Sequence, residues 1–166
     1  MSHIWLIGLM GSGKNAVGAG LAESTGRPLY DLDARVEAGY GRSVSDIFFI
    51  EGEAAFRTLE SDALAAVVDE PDGIVATGGG SILAEANVAT MREHGTVVLL
   101  DVDPETAAER ITDTESRPLL TGDAREMLSD ILADRVVAYR VAAQVVVDAN
   151  DDVDTVVDRV KAACNI

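Results

Sequence analysis

Residues 8–15 read Gly8-Leu9-Met10-Gly11-Ser12-Gly13-Lys14-Asn15, and the reading of this stretch decides the fold. A short apolar run, 4–7, stands ahead of it, and a helix-forming segment, 16–24, follows. Strand, glycine-rich turn, lysine and helix form the setting in which G-x-x-x-x-G-K becomes a phosphate cradle. The glycines let the backbone curl so that successive N–H groups point inward. The helix N-terminus adds partial positive charge, and Lys14 can reach the outer phosphates of a nucleotide. Gly11, Ser12, Gly13, Lys14, Asn15 and Ala16 are therefore the expected nucleotide-binding residues. The competing reading is a plain strand-to-helix turn with an exposed lysine. Lys14 is one of only two lysines in the chain, the other being Lys161, which makes chance placement a weaker explanation.

The position after the lysine departs from the usual pattern. Ser or Thr there supplies a hydroxyl to the magnesium that travels with the nucleotide, whereas this chain has Asn15 followed by Ala16. An amide oxygen can ligate a hard cation, but it is neutral, bulkier, and carries an NH2 that must point elsewhere.

A length of 166 residues fits one domain with a single substantial core, and 48% apolar content without a long uncharged run describes a water-soluble protein. The first strand begins almost at once and no basic region precedes it, so no signal peptide is expected. Cys164 is the single cysteine, which excludes an intramolecular disulfide, and His3 and His94 lack zinc-site spacing. A reducing cytoplasm fits. The net charge of −16 opposes nonspecific binding to nucleic acid or anionic membrane. It does not exclude an anionic substrate, because clustered arginines reverse the field inside a cleft. Asp outnumbers Glu by 17 to 12 and Arg outnumbers Lys by 11 to 2; biased codon usage with an acidic surface is preferred over adaptation to salt.

Outward from the opening stretch, 4–7 is apolar throughout, as a strand buried on both faces should be. Thr25-Gly26 with Pro28 closes the first helix. Leu29-Tyr30 reads as a second strand that delivers Asp31 and Asp33 at its C-terminal end, the edge where parallel sheets place ligand chemistry. The pattern from 34 to about 70 is helical and interrupted, with a turn at 39–42, a segment at 44–50 capped by Ser43, and a longer helix over 54–68. On that helix Arg57 and Glu60 stand at i,i+3, the spacing of a surface ion pair worth roughly a few tenths of a kcal/mol. A third strand at 74–76 runs into Thr77-Gly78-Gly79-Gly80, where a backbone can approach a ligand closely. Then come a helix at 87–94, a strand at 96–102 and a helix at 104–111. Residues 112–122 are polar and aperiodic around Arg117-Pro118 and read as a mobile lid. A long helix over 123–143, a fifth strand at 145–147 and a helix at 153–163 close the chain. Strands alternating with helices give a three-layer parallel α/β domain.

The set of motifs resembles the shikimate kinases, small P-loop kinases of the nucleoside-monophosphate-kinase type. It comprises the P-loop, Asp31-Leu32-Asp33, Phe56-Arg57-x-x-Glu60, Gly78-Gly79-Gly80, Arg117-Pro118-Leu119-Leu120, and Arg135 with Tyr139 downstream. Their order and spacing, across nearly the whole chain, are more specific than any one of them. The resemblance implies an α/β/α P-loop kinase fold with a five-stranded parallel sheet, a substrate-binding segment at about 33–61 and a lid at about 112–123. It implies transfer of the γ-phosphoryl group of ATP to the 3-hydroxyl of shikimate, with Mg2+ as cofactor and ATP and shikimate as the small-molecule partners of a monomer. By the family pattern Asp33 contacts the shikimate hydroxyls and is the candidate base. Arg57 and Arg135 bind the carboxylate, and Gly78, Gly79 and Gly80 meet the substrate through backbone N–H, Gly79 above all. Arg117 reaches over the phosphates, making Lys14, Asp33 and Arg117 the expected catalytic residues. Arg110 stacks on adenine, and Asp31 and Asn15 lie at the metal.

Two rival readings follow from the same residues. One is a kinase of this fold acting on another small polyol or hydroxy acid, disfavoured by the arginine pair and the glycine run. The other is a nucleotide-binding relative in which Asn15-Ala16 has weakened metal-dependent turnover, disfavoured by Lys14, Asp33 and Arg117.

Overall fold

The computed structural model describes residues 2–111 and 123–166. Five strands run in parallel: β1 (His3–Ile7), β2 (Leu29–Asp31), β3 (Ile74–Ala76), β4 (Gly95–Asp101) and β5 (Val145–Asp148), in the order β2-β3-β1-β4-β5. Strand β1 lies in the middle, with Ile4 opposite Ile74 on one side and Thr96 on the other. That place explains its unbroken apolar run, since Trp5, Leu6 and Ile7 are each fully buried.

Side-chain alternation sorts the sheet into two apolar layers. Leu6, Val98 and Leu100 face a layer built with Leu21 of α1 (Lys14–Thr25) and Val156 and Val160 of α8 (Val153–Cys164). Trp5, Ile7, Val97 and Leu99 face the opposite layer, with Leu64 of α4 (Glu53–Val67) and Met91 of α5 (Glu85–His94). The long helix α7 (Ala124–Ala142) joins both, Leu128 in the first and Tyr139 in the second. The expected three-layer α/β/α arrangement with five parallel strands is therefore the observed one. Among the described residues no helix is long and apolar enough to cross a membrane.

A third cluster, Val36, Ile47 and Phe56, holds together α2 (Leu32–Tyr40), α3 (Val44–Glu51) and α4 beside the sheet. Here the local reading needs correction. Asp31 ends β2 and caps α2, accepting from the Ala34 N–H at 3.1 Å. Asp33 accordingly sits in the first turn of α2 and not on the strand end. The expected turn at 39–42 also shrinks, because α2 continues through Tyr40 and stops at left-handed Gly41. Ser43 does cap α3, accepting from the Asp46 N–H. Helix α6 (Pro104–Arg110) starts on a proline, whose missing N–H costs nothing in a first turn.

Candidate active site

The carboxyl ends of β1, β2 and β3 deliver the P-loop, the Asp31–Asp33 corner and the glycine run to one cleft of about 490 Å³. The P-loop keeps its shape through conformations that L side chains avoid: φ is 78° at Gly11 and 90° at Gly13. A Cβ on Gly11 would stand 2.5 Å from the Ala107 carbonyl oxygen, so the loop lies directly against α6. Helix α1 begins at Lys14, two residues earlier than its sequence suggests, which puts its N-terminal amides on the loop. The Lys14 ammonium donates to the carbonyls of Gly8 at 2.9 Å and Leu9 at 3.0 Å.

At the metal-expected corner, Asn15 Nδ2 donates to Asp31 Oδ2 at 2.9 Å. The NH2 that had to point elsewhere therefore has its acceptor. At the opposite rim, Arg110 donates to the carbonyls of Gly11 at 3.4 Å and Asp151 at 2.7 Å, fixing the plane of its guanidinium. Asp152 caps α8 there, and the hydrogen bonds it accepts from Thr155 hold its carboxyl below the usual range.

The same cleft is also lined by Asp33, Arg57, Gly78, Gly79, Gly80 and Arg135. Arg135 is buried on α7, not on a solvated helix face. Arg57 donates to Glu60 at 2.9 Å and to Glu53 at 3.2 Å, with its guanidinium above the rings of Phe56 and Phe48. The surface-pair reading of Arg57 and Glu60 is wrong for a physical reason: Glu60 is only 1% exposed and also accepts from buried Ser81 Oγ at 2.7 Å. A buried carboxylate needs its partners far more than an exposed one does. The glycine run also owes its composition partly to these groups. A Cβ on Gly78 would collide with the Glu60 carboxylate and one on Gly80 with the Arg57 guanidinium, whereas Gly79 has room.

Sequence reasoning left three supporting residues out of the site. Glu60 follows the buried stripe Phe56, Leu64 and Val67 at helical spacing, so an acid on an apolar face was the available signal. Phe48 lines the cleft while its neighbour Phe49 is 92% exposed, a choice that α3 alone does not reveal. Tyr139, named only as part of a motif, donates to the Gly79 carbonyl at 2.6 Å. Arg117 and the expected lid lie outside the described residues.

A lysine-bearing phosphate turn that shares a cleft with an acid and two arginines defines a P-loop phosphotransferase. The shikimate kinase family model matches residues 10–165. A shikimate kinase of Symbiobacterium thermophilum is 44% identical over 146 residues, spanning 86% of this chain and 84% of the relative. One from Bordetella avium is 42% identical over 146 residues, spanning 87% and 70%. The solved shikimate kinase from Acinetobacter baumannii in complex with shikimate superposes at a TM-score of 0.93 with 32% identity, covering 99% of this chain and 94% of that one. The chain belongs to the shikimate kinase family.

Proposed function

We propose that this protein transfers the γ-phosphoryl group of ATP to the 3-hydroxyl of shikimate, giving shikimate 3-phosphate and ADP on the route to chorismate and the aromatic amino acids. The observation that carries this is a single cleft lined by Lys14 on the P-loop and by Asp33, Arg57 and Arg135. In this reading Asp33 accepts the proton of the 3-hydroxyl, whose oxygen bonds to the γ-phosphorus. The bond from that phosphorus to the β–γ bridging oxygen breaks, and ADP leaves with the electron pair. Gly11, Ser12, Gly13, Asn15 and Ala16 contribute the amide cradle, and Arg110 stacks on adenine. Arg117 neutralises charge on the group in transit.

The two arginines divide the work of holding a carboxylate. Arg57 already faces two acids, Glu53 and Glu60, so its contribution is oriented N–H groups more than net attraction. Arg135 supplies the attraction. This reading includes a monomer, and the single cysteine favours the cytoplasm.

Magnesium belongs to this proposal. Among the described residues no cluster of three His, Cys, Asp or Glu side chains could cage a metal. The fit is instead to an ion that keeps waters and phosphate oxygens and takes one or two protein oxygens. Asp31 and the Asn15 amide oxygen would hold it, and when bound it supplies charge neutralisation at the phosphates. Asn15→Ser removes the donor that occupies Asp31 Oδ2, so the expected result is about fivefold tighter metal binding. Mn2+ binding to the ADP complex, followed by electron paramagnetic resonance, reads this apart from turnover; weaker binding would show a pocket built around the amide.

The test of the function is ADP release in a coupled assay. Shikimate-dependent, Mg2+-dependent release is expected. ADP release with another hydroxy acid or polyol but none with shikimate, or nucleotide binding without turnover, overturns the assignment.

A further inference from the structure

Three carbonyls in the glycine run are held by three different partners. The turn itself takes two, with Gly78 O accepting from the Ser81 N–H and Gly80 O from the Leu83 N–H. The carbonyl between them, Gly79 O, accepts from the hydroxyl of Tyr139, 60 residues away, at 2.6 Å. A trans peptide is planar, so holding Gly79 O also fixes the direction of the Gly80 N–H on the same peptide. Flanked by glycines, that peptide has no side chain of its own to brace it. Gly80 and Arg135 both line the cleft, and Arg135 stands one turn before Tyr139 on α7.

We propose that Tyr139 is a positioning residue for the acceptor. By holding the Gly79–Gly80 peptide from the helix that also carries Arg135, it fixes a backbone donor and a guanidinium at one set separation. This rests on the proposed function for the identity of the acceptor, but not for the state of the peptide. Burial raises the Tyr139 pKa above its ordinary value against the opposing influence of Arg135, so the hydroxyl keeps its proton throughout the neutral range.

Tyr139→Phe keeps the buried ring and deletes the donor. In the ligand-free protein, the amide resonance of Gly80 is expected to broaden or split in the variant, with the melting transition still cooperative. An unchanged Gly80 resonance overturns the inference whatever the enzyme phosphorylates. In turnover, the KM for shikimate is expected to rise about threefold to tenfold while the KM for ATP stays within twofold. Equal rises in both KM values would mean a general loosening and would also overturn it. Absence of shikimate turnover in the unaltered protein would remove the proposed function and leave the resonance test standing.

Discussion

Arg57→Ala lowers the stability of the fold by about 3 kcal/mol, near the low end of what breaking a buried ion pair costs. The low end applies because the Arg57 side chain is itself 23% exposed, whereas Glu60 is only 1% exposed. What remains in the variant is a carboxylate with Ser81 as its neutral donor and, among the described residues, no ion-pair partner. For a chain of this size the loss corresponds to a fall of about 6–12 °C in melting temperature. Adding Glu60→Gln removes the stranded charge and keeps an acceptor for Ser81, so the double variant should regain more than half of the loss. If the double variant melts no higher than Arg57→Ala, the stranded-charge account fails. Binding of the acceptor weakens as well, so a rise in its KM has to be read beside the melting curve.

Lys14→Met reduces turnover about 10²- to 10³-fold, the usual consequence of removing one donor from developing negative charge. Methionine keeps most of the apolar stem, and the Leu9 carbonyl keeps the Ser12 N–H when the lysine donations to Gly8, Leu9 and Ser12 are lost. The melting temperature should therefore move little. Turnover at saturating nucleotide and acceptor, measured beside thermal unfolding, separates the two effects. Activity within tenfold of the parent would remove Lys14 from the chemistry.

Much of the architecture was readable because its signals are local. The Gly8–Asn15 pattern needs only its own glycines, lysine and flanks, and the buried strand β1 announces itself by the apolar run 4–7. The candidate site was readable where its residues are neighbours in sequence, as with the glycine run that lines the cleft. What escaped depends on contacts between distant segments. No window of sequence shows that Tyr139 meets Gly79 or that Asn15 meets Asp31. The Arg57–Glu60 pair shows a subtler limit: its spacing was plain, but its energy depends on how deep the acid lies. Asp33 moved from strand end to helix because Asp31 caps α2 and starts the turn two residues sooner.

The small cluster of Val36, Ile47 and Phe56 shares no buried residue with the two layers that sandwich the sheet, and half-buried Ala63 packs against both it and the second. The helices α2, α3 and α4 thus have a foundation of their own, which the phosphate turn does not share. Descendants of such a chain could exchange α2 and α3 for differently shaped pieces and accept a different acid, while the grip on the nucleotide passed unchanged from ancestor to offspring.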